Sequence, residues 1–176
     1  MAAIRALVAA DGAAFRRLRL EGLALHPEAF GESHAEAAMQ DEAAFAARLR
    51  DTAWPDAVFG AFDGSALVGL AGFVVTKREK ARHKGQLWGV YVAADQRRQG
   101  VGAALVGCVI HHARAQVEQL LTAVVVGNDG VRALYLRLGF RPYGVEPRAL
   151  RVNGRYFDEE LLQMTFHSDG AAGVPR

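Results

Sequence analysis

Six residues in the middle of the chain, Arg97-Arg98-Gln99-Gly100-Val101-Gly102, combine two permanent cations with two glycines. The apolar run Leu87-Trp88-Gly89-Val90-Tyr91-Val92 precedes them and reads as a buried strand. A helical pattern follows. Val101, Leu105, Cys108, Val109 and His112 recur at i, i+4, i+7, i+8 and i+11, so they share one helix face. A strand feeding a glycine turn at a helix start leaves N–H groups unpaired at the positive end of the helix dipole. Such a turn binds phosphate. Gly100 and Gly102 let the main chain approach a phosphate group that a Cβ would repel, and the N–H groups of residues 98 to 103, up to Ala103, can donate to it. Arg97 and Arg98 can add charge-assisted bonds of about 1.5–3 kcal/mol each. Two familiar phosphate loops do not fit. A P-loop needs Gly-Lys-Ser/Thr where Ala103-Ala104 stand, and a dinucleotide fingerprint needs a third glycine where Leu105 stands.

The elements that must position this turn are legible from punctuation and periodicity. Residues 3 to 9 predict a first strand. Asp11 is placed to cap a helix with Phe15, Leu18, Gly22 and Leu25 on one face and Arg16, Arg17 and Arg19 mostly elsewhere, and His26-Pro27 ends it. Residues 27 to 40 read as a loop that continues into helix. Asp41 caps a short helix carrying Phe45 and Leu49, which Trp54-Pro55 breaks. Val58–Phe62 and Ala66–Val75 predict a hairpin turning at Asp63-Gly64. After the central helix, Leu120–Val126 predicts a fifth strand, and Asn128 or Asp129 a short helix that Gly139 stops. Phe140–Leu150 and Tyr156–Phe166 are the last strands, joined at Asn153-Gly154, with Pro142 and Pro147 making the first irregular. The order β-α-α-β-β-β-α-β-α-β-β predicts a mixed α/β sheet rather than a doubly wound one, in one domain over residues 1–167, with 168–176 as a tail.

Bulk properties narrow the class. The 176 residues suffice for one domain with a substantial core, and 51% hydrophobic with 23% charged residues is ordinary for a globular chain. A net charge of +2 does not call for nucleic acid. Residues 77 to 84 hold five cations in eight positions, but no aromatics are interleaved, so a solvated connector explains them. The one cysteine, Cys108, cannot form an internal disulfide and reads as a small core residue. No apolar stretch reaches the ~20 residues of a membrane span, and the first residues lack a signal-peptide core, so the expectation is a cytoplasmic protein without membrane contact.

Arg97-Arg98-Gln99-Gly100-Val101-Gly102 also matches Arg/Gln-x-x-Gly-x-Gly/Ala, the acetyl-CoA motif of the GNAT N-acetyltransferase superfamily, without a gap. Asn128, Tyr135 seven residues on, and Gly139-Phe140 resemble that family's Asn-x₆-Tyr-x₃-Gly-Phe signature. Residues 22–31 and 143–150 resemble segments of a bacterial subgroup, so the likeness covers roughly residues 3 to 166. The resemblance implies a fold in which the fourth strand splays from the fifth and the pantetheine arm of acetyl-CoA enters as a pseudo-strand. Backbone groups of Val90, Tyr91 and Val92 would then meet the arm, and the Val90 N–H would face the developing oxyanion. Asn128 would bond the pantetheine, and Tyr135 would protonate the departing thiolate. Two positions depart from the pattern. Ala94 replaces the usual proline before the loop, and Val131 a usual small residue, without removing any donor.

The acceptor side is less defined. A lysine-like amine is neutral in only roughly one part in a few thousand at pH 7, so a base is expected. Glu32, in the loop after the first helix, leads the candidates. Glu28, Asp158 and Glu159 follow, with His26, His34 and His83 behind. His111 and His112 lack metal-ligand spacing, and no metal is expected. The sequence supports direct acetyl transfer to a primary amine, of a small molecule or a peptide, by a monomer or homodimer. A non-catalytic acyl-CoA-binding sensor is the alternative reading.

Overall fold

The computed structural model describes residues 2–50 and 55–166. The expected break at Trp54 and the expected tail from Ser168 lie outside them. In chain order the elements are β1 (Ala3–Ala6), α1 (Gly12–Leu25), α2 (His34–Ala38), α3 (Glu42–Arg50), β2 (Ala57–Asp63), β3 (Ala66–Val75), β4 (Lys84–Val92), α4 (Val101–Arg114), β5 (Gln119–Val125), α5 (Asp129–Arg137), β6 (Arg141–Val152) and β7 (Arg155–Thr165). The short helix α2 adds one element to the predicted order. A capping box starts it: Ser33 Oγ accepts the Glu36 N–H (3.2 Å) and Glu36 Oε2 accepts the Ser33 N–H (2.9 Å).

The seven strands form one mixed sheet ordered β1-β2-β3-β4-β5-β7-β6. Every neighbouring pair is antiparallel except β4 and β5, which are parallel. That exception shapes the molecule. β4 and β5 pair only at Lys84–Gln86 against Gln119–Leu121, and beyond Gln86 they diverge. Both strands have their other edges occupied, by β3 and β7, so the divergence opens a V inside the sheet.

Each face of the sheet carries its own apolar layer. On one, Phe15, Leu18 and Leu23 of α1 pack with Phe45 of α3 and with Leu70 and Tyr91 of the sheet. Phe15 and Phe45 meet edge to face at 5.1 Å between centroids. On the other, Val101, Leu105 and Val109 of α4 pack with Leu120 and Val124 of β5, Tyr135 of α5, and Phe140 and Leu162.

Several local expectations change. Gly64 and Ser65 turn the β2–β3 hairpin, because Asp63 already pairs with Ala66; Gly64, at φ +57, supplies the left-handed residue. Asp11 does not cap α1 through its side chain: its carboxylate accepts the Val8 N–H (2.8 Å) and an Arg5 fork (2.7 and 2.8 Å). The core face of α4 runs through Val106 and Ala113 rather than Cys108, which is half-buried. Arg19 does not face outward with Arg16 and Arg17; it is 6% exposed. The irregularity expected of β6 is present as register shifts beside Pro142 and across Pro147.

Candidate functional site

The V is finished by a distortion of β4. Leu70 pairs with Tyr91 and Gly72 with Trp88, so Ala71 stands opposite two residues, Gly89 and Val90. Gly89, at φ +65, takes the left-handed conformation that such a bulge needs. The shift re-aims the chain just before Val90, which lines a cavity of about 820 Å³ in the V. Val92, Arg98, Gly100, Gly102, Ala103 and Asn128 line it too, with Tyr91 and Arg97.

The start of α4 forms the mouth of this cavity. Its first backbone bond runs from the Ala104 N–H to the Gly100 carbonyl (3.0 Å), which leaves the N–H groups of Val101, Gly102 and Ala103 as the free donors of the first turn. Arg98 (φ +60) and Gly100 (φ +82) are both left-handed, a conformation costing a non-glycine residue such as Arg98 about 1–2 kcal/mol. No atom lies within 4 Å of where a Gly100 Cβ would be, so conformation, not space, demands that glycine. A pyrophosphate fits the chemistry of this donor set. Arg97 behaves differently from the expectation. Its Nε donates to the Val92 carbonyl (2.9 Å), its Nη2 lies 3.0 Å from His26 Nε2, and its guanidinium stacks on the Tyr91 ring (5.5 Å). It ties the turn to β4. Gln99 likewise folds back, donating to the Asp95 carbonyl (3.0 Å), and Val101 is buried in the core.

Tyr135 does not line the cavity but packs beneath it, 4% exposed, against Phe140. Its hydroxyl pairs with Thr122, whose own hydroxyl donates to the Leu87 carbonyl (3.3 Å). Thr122 and Leu87 each lie one residue past the last backbone pair of β4 and β5, so this chain of hydroxyls sits at the vertex of the V. Burial pushes the Tyr135 phenol up to about 12, opposed by the Thr122 bond, so it is protonated at neutral pH. Asn128 caps α5, accepting the Val131 N–H (3.4 Å), while also facing the cavity. An Arg132–Glu160 fork (2.7 and 3.2 Å) fastens α5 to β7.

A second cavity, of about 830 Å³, lies on the α1 side of β4. Trp88 lines this one and Val90 the other; Glu32 lines this one and Phe30 the other. The two cavities share no lining residue, but neighbouring stretches of β4 and of the loop after α1 line one and the other. Glu32 is doubly paired: Oε2 accepts from Arg19 Nε (3.0 Å) and lies 3.0 Å from its Nη2, and Oε1 lies 3.5 Å from Arg48. Desolvation pulls the Arg19 guanidinium below its ordinary range, Glu32 opposes this, and Arg48 adds to it. Arg19 is the cavity-lining residue that the periodicity reading placed elsewhere. Its spacing held the signal, since it falls four residues after Phe15 and three before Gly22, on the core face.

The remaining candidates are dispersed. Glu28 and His26 line the cavity in the V. Asp158 is exposed and accepts the Arg148 N–H (2.7 Å). Glu159 is raised by desolvation and then by Glu146, its cross-strand neighbour. His34 and His83 are exposed. Among the described residues no group of three or more His, Cys, Asp or Glu could hold a metal, and no helix is long and apolar enough to cross a membrane.

A profile of the Acetyltransferase (GNAT) family matches residues 20–140. The chain belongs to the GNAT family. Over 76 residues it is 37% identical to the L-methionine sulfoximine/L-methionine sulfone acetyltransferases of Pseudomonas paraeruginosa and Pseudomonas aeruginosa. That match spans 43% of this chain and 44% of each relative, less than half of their length. Solved GNAT structures share the whole fold. The acetyltransferase of GNAT family from Streptococcus pneumoniae superposes with a TM-score of 0.85 at 19% identity, over 94% of this chain and 100% of its own. The GNAT superfamily phosphinothricin acetyltransferase of Sinorhizobium meliloti, solved in complex with acetyl-CoA, gives 0.83 at 23% identity, over 99% and 93%.

Proposed function

We propose that this GNAT protein is an acetyl-CoA-dependent N-acetyltransferase acting on the primary amine of a small molecule. The observation that carries the reading is the convergence, on one cavity, of diverging strand edges and the free N–H groups of the α4 start. The N–H groups of Val101, Gly102 and Ala103 and the side chain of Arg98 would take the pyrophosphate, and Asn128 with the β4 edge at Val90 and Val92 the pantetheine arm. Arg97 and Tyr91 would serve this site by fixing the turn.

In the reaction the amine nitrogen attacks the thioester carbon directly. A C–N bond forms, the C–S bond breaks, and the electron pair stays on sulfur. The Val90 N–H, aimed by the Gly89 bulge, would hold the oxyanion. Tyr135 is protonated at working pH and would give its proton to the thiolate; the proton released by the nitrogen restores it through solvent. The reading of Glu32 as general base has to contend with two guanidinium groups already on its oxygens.

A small-molecule acceptor is supported by the second cavity and by the activity for which the Pseudomonas relatives are named. Thiol release from acetyl-CoA, measured against a panel of amines, tests the whole reading. Acceptor-dependent release is expected. Tight binding of acetyl-CoA without release by any amine would favour a sensor instead.

A further inference from the structure

We infer that Arg19 binds the carboxylate of the acceptor, so that the site selects the amine of an α-amino acid. This rests on the acetyl-transfer reading and goes on to name the substrate class.

Arg19 is 6% exposed, yet only part of its guanidinium is used. Nε and Nη2 are taken by Glu32, and the Phe30 and Trp88 rings, 4.9 and 5.8 Å away, fix the plane. Nη1 has no acceptor among the described residues. Arg19 lines the α1-side cavity, and its Nη1 lies 3.2 Å from the point where a Gly89 Cβ would be. No side-chain nitrogen or oxygen among the described residues is both fully buried and without a partner, so Nη1 is the part of this nearly buried guanidinium that the cavity reaches, a donor open to a ligand that displaces water.

The position specifies what that ligand is. Gly89 is joined directly to the Val90 N–H, the group assigned to the oxyanion. A carboxylate resting on Arg19 Nη1 would set an amine on the adjacent carbon beside the Gly89–Val90 peptide, where the thioester carbon must be. An α-amino acid has that spacing between its amine and carboxylate. Three cations, Arg19, Arg48 and Lys77, line this cavity with three carboxylates, Glu32, Glu36 and Asp56, so the local placement of Nη1 rather than net charge favours a carboxylate there. Glu32 is shared between Arg19 and Arg48, and Lys77 lines the same cavity. The cavity's other carboxylates are already engaged, Glu36 by Ser33 and Asp56 by the Val75 N–H (2.8 Å). Phe15, Val58 and Phe73 offer an apolar wall to the amino-acid side chain, with Gln40 and Gln86 at hand for a polar end. Glu32 is then a positioning residue, which holds the guanidinium so that Nη1 faces the cavity.

The test compares kcat/KM, by thiol release, for L-methionine sulfone and for its decarboxylated amine. The intact amino acid is expected to lead by roughly 100-fold or more, since a site built for a polar group rejects the analogue that lacks it. Arg19→Met is expected to bring the two within threefold while leaving acetyl-CoA affinity within threefold. Arg19→Lys, which retains a buried cation, is a second variant should Arg19→Met fail to fold. A wild-type ratio below threefold, or a ratio kept by the folded variant, overturns the inference. If no amine is turned over, the acetyl-transfer reading fails. Calorimetric binding of L-methionine sulfone in the presence of coenzyme A then decides: binding weakened at least tenfold by Arg19→Lys supports the carboxylate site, and no binding to the wild type overturns it.

Discussion

On the cleft side of β4 most groups offered to a ligand are main-chain ones, with the Arg98 and Asn128 side chains beside them: the N–H groups at the start of α4, the bulge at Gly89 and the open strand edges. On the α1 side they are side chains, above all Arg19, Glu32 and Arg48, brought together from three segments. A site made of backbone is specified by where glycines and turns fall. It suits a ligand common to a whole family. A site made of side chains can be rewritten by substitution while the fold stands, and it suits the ligand that varies.

Five variants and one titration probe that contrast. Tyr135 sits at the vertex and is the proposed acid, so Tyr135→Phe is expected to lower turnover by about 10²–10⁴-fold, as lost general acid catalysis would. A fall of less than threefold in the rate of thiol release would remove the acid role. Glu32→Ala strips the partner from a buried guanidinium and is expected to lower unfolding free energy by about 3 kcal/mol, the low end for buried pairs because Glu32 keeps some solvent contact. Arg97→Ala on the exposed cleft side should cost under about 1 kcal/mol in the same denaturant titration. Equal losses would break the contrast.

The raised Tyr135 phenol links stability to alkaline pH. The folded state holds this proton between pH 10 and 12 while the unfolded chain loses it, so unfolding free energy falls as pH rises through that window. The loss approaches about 2.7 kcal/mol and is absent in Tyr135→Phe. Gly100→Ala tests the main-chain side, because its cost is conformational at φ +82. A rise of about tenfold in the KM for acetyl-CoA is expected, equivalent to about 1.4 kcal/mol. The smallest effect is expected of Lys80→Ala with Arg82→Ala, at exposed connector positions: stability within about 0.5 kcal/mol and unchanged turnover.

The same contrast explains what could be read from the chain alone. The turn at Gly100, the cap at Asn128 and the hairpin at Asn153-Gly154 are set by residues near in sequence, and local rules reach them. The Gly89 bulge announces itself only as a glycine inside an apolar run, a signal that a regular strand can also carry. Glu32 could be placed near the acceptor by the family resemblance, but not its two guanidinium partners. Arg48 lies 16 residues from Glu32 and Arg19 lies 13 away, and only the packing of α1 against α3 joins them. The inward turn of Arg19 was hidden by its charge, because arginine on a helix is ordinarily assigned to solvent.

The divergence of β4 from β5 has a consequence for the protein's durability. Two strand edges are left facing each other within the sheet, tied at the vertex by the bond from Thr122 to the Leu87 carbonyl. A ligand that bonds both edges completes the ladder and binds only the folded chain. At a hundredfold excess over its dissociation constant such a ligand adds about 2.7 kcal/mol to the cost of unfolding. The loaded protein would therefore outlast the empty one, and its lifetime would follow the supply of the molecule it consumes.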